Sequence, residues 1–362
     1  MQENDVGIDL PGKPAPKRRS CLGCLGRAAM GLLVLLVIVM AGGAIYQAAA
    51  SASDLKKYPP PGELYDVGEY RIHLYCTGEG SPTVILEAGA GSPSLGWELV
   101  QEKVAGFTRV CSYDRPGFGW SSTASTPLSS EQVADTLHQL LVTANIPGPY
   151  VLVGHSDGGV YIRSYVKQYP SEVIGMVLVD SSHESQNLRF PPEYLNYSRQ
   201  QNIIFKACQV LSPFGVIRLA RLWNMLLPKS ILSIDMGAGV LSTMYRTTYC
   251  EAYADELTSA STMLSQPEGP SSLGDMPLIV ISAGVSLEKM LAQTPQYVVR
   301  GMGRETFTQI VQTMQDLQKD LVSLSTHGKQ IIAEQSTHNV QWDQPDLVIE
   351  AIREVVEQVR SE

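Results

Sequence analysis

The sequence predicts an α/β fold: a mostly parallel central sheet flanked by helices, with a helical segment inserted late in the chain. Three observations predict it. Near-continuous apolar runs recur along the chain, as suits strands buried on both faces of a sheet. Segments with helical spacing separate these runs. One stretch, Ser185 to Ser272, breaks the alternation: it contains no strand-like run and is rich in Leu, Met, Arg and Tyr.

The chain has 362 residues, room for one large domain or two modest ones. Its 44% apolar and 17% charged residues can build a packed core and argue against disorder. No internal repeat is evident, which sets solenoids aside.

The first fifty residues are a different material. Lys13, Lys17, Arg18, Arg19 and Arg27 precede an uncharged run from Ala28 to Ala50. At about 1.5 Å per residue, that run can cross a hydrocarbon core of roughly 30 Å. All the basic residues lie on its N-terminal side. The positive-inside rule therefore leaves 1–27 in the cytoplasm and sends the rest of the chain outward. The alternative is a secreted protein with a cleaved signal peptide, since QAAASAS (Gln47 to Ser53) offers an A-x-A-like site. The long n-region and long apolar run favour a retained signal-anchor over residues 28–50. Cys21 and Cys24 sit just inside the membrane, either as free thiols or as acylation sites. The tail, with five basic and three acidic residues, contributes +2 to the net charge of −9 and leaves −11 on the remainder. An acidic body without a long basic block argues against a nucleic-acid partner. Residues 51–64 read as a linker, because the prolines of LKKYPPPGEL favour an extended spacer. The folded body then starts near Tyr65.

Along the body, YRIHLYC (Tyr70 to Cys76) alternates like a strand. Buried strands are expected at TVILEAG (Thr83 to Gly89), TRVCSYD (Thr108 to Asp114), YVLVG (Tyr150 to Gly154), VIGMVLVD (Val173 to Asp180) and PLIVISAG (Pro277 to Gly284). KQIIAEQ (Lys329 to Gln335) supplies one more. Helices are expected over Ser129–Thr143, Gly158–Gln168, Glu305–Ser323 and Leu347–Val359. Residues 65–184 and 273–362 thus form one α/β core, and 185–272 forms a helical cap inserted into it.

At VLVGHSDGGVYIR, from Val151 to Arg163, a strand passes straight into a helix through Gly154-His155-Ser156-Asp157-Gly158. A G-x-S-x-G turn in this context lifts a serine hydroxyl clear of the sheet edge, and small residues flank it because strand and helix pass so closely. Ser156 needs a base, and a carboxylate to orient that base. Among six histidines, His73 falls within a strand and His138 within a helix, where packing roles are expected. His155 should point away from Ser156. His183 begins the cap, and His327 suits a helix C-terminus. His338 follows the last strand on a loop at the carboxyl edge of the sheet, so it is the expected base.

From Tyr65 to Val359 the body resembles an α/β-hydrolase fold with an inserted helical cap. The resemblance rests on Tyr75-Cys76-Thr77-Gly78, Glu87-Ala88-Gly89-Ala90-Gly91, RVCSYDRPGFGWS (Arg109 to Ser121) and the Ser156 motif, in that order. It implies a Ser-acid-His triad. In this family the acid usually follows the strand equivalent to PLIVISAG. Here Val285-Ser286-Leu287-Glu288 follows that strand, without an aspartate. Some relatives draw the acid from the preceding strand end, here Asp180. Asp180 is the expected acid and Glu288 the alternative. The resemblance places the oxyanion donors at the backbone N–H groups of Asp157 and Ala90. Ala88-Gly89 stands where relatives carry His-Gly, which leaves the backbone donor in place. Asp114 to Gly119 is expected to be a scaffold turn beside the site.

No metal-ligand or dinucleotide motif appears, so neither metal nor cofactor is expected. Cys76 and Cys111 fall on strands that are neighbours in the family's order, and Cys208 and Cys250 both fall in the cap. Two disulfides or four buried thiols are the open readings. In the cap, FGVIRLARLWNMLL (Phe214 to Leu227) reads as one helix packed on the core, with Arg218 and Arg221 on a solvated stripe. An interfacial helix that admits lipid-like esters is the other reading. The substrate pocket should lie between cap and sheet and be largely apolar. The expected function is a membrane-anchored serine hydrolase acting on a small, apolar carboxylic ester or related acyl bond. Peptidase or thioesterase chemistry, or a binding protein on the same scaffold, are the alternatives. Acyl length, head group and oligomeric state are not read from the sequence.

Overall fold

The computed structural model describes residues 21–226, 235–266, 272–284, 286–294 and 296–361. The basic residues expected at 13–19, Val285 and Leu227 lie outside them. Eight strands form one sheet in the order β1-β2-β4-β3-β5-β6-β7-β8. They are β1 (Glu63–Val67), β2 (Tyr70–Thr77), β3 (Thr83–Glu87), β4 (Val110–Tyr113), β5 (Tyr150–His155), β6 (Val173–Val179), β7 (Leu278–Ala283) and β8 (Gly328–Ala333). β2 pairs antiparallel with β1 and β4, and every pairing from β4 through β8 is parallel.

The apolar runs become strands because both faces of the sheet are covered. On one face Leu152, Leu178 and Val280 pack under Leu137 and Leu140 of helix Ser130–Thr143 and Ile162 of helix Asp157–Gln168. On the other, Val151, Val153 and Val177 meet Val100, Ile352 and Val356 of helices Glu98–Val104 and Pro345–Ser361. The expected helix at 129–143 starts one residue later, with Ser129 as its N-cap. The Ser129 hydroxyl accepts the Gln132 amide and the Gln132 side chain accepts the Ser129 amide, a capping box.

The N-terminal segment departs from expectation in length. One helix runs from Cys21 to Lys57, past the end of the expected 28–50 span. Nothing between Ala50 and Lys57 breaks a helix, and the first proline after Lys57 is Pro59. The expected linker therefore shrinks at both ends, because β1 begins at Glu63 and is zipped onto β2. By length and composition, residues 25–57 form a helix able to cross a membrane.

Between β6 and β7 the chain inserts a set of helices, whose main elements among the described residues are Pro192–Leu211, Asp235–Met244 and Thr247–Met263. The segment expected as one helix at Phe214–Leu227 is broken into Val216–Leu219 and Leu222–Leu226, with Arg221 between them at φ 51°. Arg218 is not on a solvated stripe. It is largely buried against the N-terminal helix, donating to Asp54 at 2.5 Å and to Gln47 at 3.2 Å. Helices Leu287–Gln293 and Gln296–Met302 precede the expected helix at Arg304–Val322 and were not foreseen; Val298 and Phe307 there pack on Phe190 of the insertion.

Both disulfides form. Cys76 and Cys111 face each other in the β2–β4 ladder, and Cys208–Cys250 joins two helices of the insertion.

Candidate active site

β5 ends at His155, and helix Asp157–Gln168 begins two residues later. Ser156 alone makes the turn, at φ 52° and ψ −126°, a backbone conformation that costs a non-glycine residue of the order of 1–3 kcal/mol. The glycines are a steric requirement. A Cβ at Gly154 would stand 2.7 Å from the Gly158 carbonyl oxygen, and one at Gly158 would stand 2.6 Å from that of Ala88. The Ser156 amide is tied to the Val179 carbonyl of β6 at 3.1 Å, which fixes the turn to the neighbouring strand.

Asp180 follows β6 at φ 39°. One carboxylate oxygen accepts the Ala283 amide at 2.9 Å, and the other accepts from His338 Nδ1 at 2.6 Å. His338 Nε2 lies 2.9 Å from Ser156 Oγ. The structure thus brings Ser156, His338 and Asp180 into one hydrogen-bonded row, drawn from the ends of β5, β6 and β8. Glu288 is not part of it: its side chain is 76% exposed and pairs with Arg304 at 3.2 Å. The chain turns into helix Leu287–Gln293 there, which carries Glu288 to the surface.

Burial works to lower the pKa of His338, but the hydrogen bond and charge of Asp180, with Asp157 nearby, outweigh it and raise the imidazole above its ordinary value. His155 has the opposite setting. Burial and the adjoining His338 ring, 4.7 Å away, push it down to about 3, so it is neutral. Its Nε2–H donates to the His338 carbonyl at 2.9 Å, and Nδ1 accepts from Gln341 at 3.3 Å. His155 does point away from Ser156, as expected. Its task, holding the backbone of His338, was not legible in the sequence.

The Asp157 N–H opens its helix and so has no intrahelical acceptor. Its side chain turns aside to accept from Ser182 Oγ at 2.6 Å. Ala90 lies half-buried on the loop after β3, and its N–H has no acceptor among the described residues. Buried Arg115 holds this loop. Its Nη1 donates to the Ala88 carbonyl at 2.6 Å and its Nη2 to that of Gly89 at 2.8 Å. The guanidinium is clasped between Glu87 at 2.6 Å and Glu256 at 2.8 Å. Burial pushes both carboxyls up, against the pull of Arg115. Glu256 also accepts the Gly91 amide at 2.6 Å. Through Arg115 the Asp114–Gly119 turn braces this loop, and the Glu256 side of the clasp comes from a helix of the insertion that carried no sequence signal.

A cleft of about 540 Å³ opens over this row, between the sheet edge and the insertion. Its walls are mixed rather than largely apolar: Tyr194, Leu195, Leu257 and Met314 alternate with Ser198, Arg199, Asn187 and Gln318. Among the described residues no group of His, Cys, Asp and Glu is placed to hold a metal ion.

The chain matches the Alpha/beta hydrolase family over residues 84–351. An uncharacterized protein of Schizosaccharomyces pombe is 31% identical over 261 residues, 63% of this chain and 47% of that protein. A relative from Hormonema carpetanum is matched over 42% of its length, so the chain spans less than half of these curated relatives. Among solved structures, an esterase from Thermogutta terrifontis is similar at a TM-score of 0.55 and 18% identity, covering 82% of this chain and 98% of the other. An epoxide hydrolase, CorEH, is similar at a TM-score of 0.59 and 16% identity, covering 82% and 98%. The family match takes in well over half of the sequence, and the structures agree on the fold: the chain belongs to the alpha/beta hydrolase family.

Proposed function

We propose that the chain is a serine hydrolase of carboxylic esters, carried on a membrane anchor. One observation supports it above the rest: Ser156 Oγ, His338 Nε2 and Nδ1, and Asp180 stand in sequence at 2.9 and 2.6 Å at the floor of an open cleft. His338 takes the proton of Ser156 as the hydroxyl attacks the acyl carbon. Asp180 holds the imidazole in the tautomer with Nδ1 protonated and steadies the imidazolium. The tetrahedral anion lies on the Asp157 and Ala90 N–H groups, whose preorganised dipoles lower the barrier. Collapse expels the alcohol, protonated by His338, and leaves an acyl-serine that water then cleaves by the same steps. An epoxide hydrolase shares the fold, but a serine at the strand–helix turn favours acyl chemistry. The insertion acts as a cap that walls the cleft. The helix Cys21–Lys57 is a signal-anchor, with the N-terminus cytoplasmic and the body outside.

The test is labelling of the full chain with a fluorophosphonate probe, followed by turnover of p-nitrophenyl esters of graded acyl length. Labelling at Ser156 with ester turnover is the expected result; no labelling and no turnover of any ester would refute the reading. Protease added to intact cells should digest the body, and full protection would invert the topology.

A further inference from the structure

We infer that the face of the insertion formed by helices Pro192–Leu211 and Val216–Leu219 is seated in the same bilayer as the N-terminal helix, and that the cleft takes amphiphilic esters from that bilayer. The inference rests on the anchor and on the ester chemistry proposed above, and deepens them.

The N-terminal helix fixes where the membrane lies. Counting about 1.5 Å per residue from Ala28, Gly43 stands about 22 Å into a hydrocarbon layer of roughly 30 Å. The insertion already touches the helix there, where a Cβ on Gly43 would collide with the Phe214 carbonyl. One turn further, partly exposed Tyr46 lies against Gly215, at the depth where tyrosines line membrane interfaces. Among the described residues, polar ties to the insertion begin beyond this level. Gln47 donates to the Tyr245 carbonyl at 2.6 Å, and Arg218 pairs with Asp54 at 2.5 Å. The apolar and polar contacts thus change over where the hydrocarbon should end.

The surface beside this junction is apolar and uncovered. Val216 and Leu219 follow Gly215 directly, with Leu219 65% exposed. On helix Pro192–Leu211, Ile203, Ala207 and Val210 repeat at i, i+4 and i+7, with Ile204 and Leu211 beside them, and all five are exposed. Such a stripe would be costly in water and is continuous with a helix that needs lipid. The other end of the same helix reaches the cleft, where Tyr194, Leu195 and Arg199 line the wall. From Leu211 back to Ser198 is thirteen residues of helix, about 20 Å, the length of a lipid acyl chain. The stripe runs from the membrane level up to Ile203, and the exposed polar residues Gln200 and Arg199 carry the same helix face on to the mouth of the cleft.

The full chain is reconstituted in phosphatidylcholine vesicles doped with a phospholipid bearing an acyl-chain diazirine, irradiated, and mapped by mass spectrometry. Adducts are expected on residues 25–46 and on peptides spanning 203–219. Adducts confined to 25–46 would overturn the seated face; absence of adducts even there would remove the anchor, and the inference with it. Delivery is read with the triple variant Ile203→Glu, Val210→Glu, Leu219→Glu in the same vesicles. Turnover of water-soluble p-nitrophenyl acetate should stay within about two-fold, while that of bilayer-dissolved p-nitrophenyl palmitate falls about ten-fold or more. Equal effects on both esters would overturn delivery. If the wild type hydrolyses neither ester, delivery and the esterase reading both fail, while adducts on 203–219 would still establish the seat.

Discussion

Glu256 accepts the Gly91 amide at 2.6 Å across 165 residues of sequence, and so ties a helix of the insertion to the loop that carries Ala90. Arg115 completes the tie, donating to Glu256 and to the carbonyls of Ala88 and Gly89, the latter in the peptide link to Ala90. Among the described residues the Ala90 N–H has no acceptor, so its aim depends on this clasp. Glu256→Gln keeps the shape but removes the charge facing Arg115. The expected loss is about 10- to 100-fold in kcat, with KM within about two-fold, because a misaimed donor is felt in the transition state rather than in substrate binding. Rates are normalised to sites labelled by fluorophosphonate. A variant with lower Tm but an unchanged rate per labelled site would reduce Glu256 to a stability role.

Ser156→Ala should remove fluorophosphonate labelling altogether and lower ester turnover by several orders of magnitude, since only binding and the oxyanion donors remain. The fold should survive, and the alanine should relieve none of the turn strain, because φ stays near 52°. Retained turnover in this variant would move the nucleophile elsewhere.

The features that were legible in the sequence are those written locally. The seven expected strands are short apolar runs whose period and composition have no other reading, and each is found in the sheet. Ser156 was legible because its motif encodes a backbone shape. His338 was legible because it follows a strand at the functional edge. What was hidden depends on residues far apart. β1 turns only Tyr65 and Val67 toward the core and becomes a strand by pairing with β2. The helix at Cys21–Lys57 runs on where composition suggested a linker, held by Arg218 and Tyr245 of the insertion. Glu256 and His155 act through hydrogen bonds to residues distant in sequence, and no periodicity marks such partners.

The pH profile separates the two candidate acids. Ester turnover needs neutral His338, and Asp180 holds its pKa above the ordinary imidazole value. The wild-type rate should therefore rise with pH through an apparent pKa above 6.5. Asp180→Asn should cost about 10³- to 10⁴-fold in kcat and move that limb to lower pH, because the protonated imidazole loses its counter-charge. Glu288→Gln should change neither, since its carboxylate is exposed and faces Arg304. A dead Glu288→Gln beside a near-normal Asp180→Asn would transfer the acid to the later strand.

Acid stability tests the second histidine. His155 is held near pKa 3 in the folded protein, against 6.5 for a free imidazole. The folded state thus binds fewer protons than the unfolded chain between these values, and stability falls as pH drops through that window. The slope from this group is about 1.4 kcal/mol per pH unit. Glu87 and Glu256 work in the opposite direction, since burial raises their carboxyls and favours the folded state on protonation. The raw pH dependence therefore mixes both signs, and the informative quantity is a difference. His155→Asn in the detergent-solubilised full chain should have a lower Tm than wild type at pH 7.5, because the His338 carbonyl loses its donor. The gap between the two should then narrow toward pH 5, as the wild type pays to keep His155 neutral and the variant does not. A gap that stays constant or widens on acidification would mean that His155 takes up its proton in the folded protein as readily as in the unfolded chain.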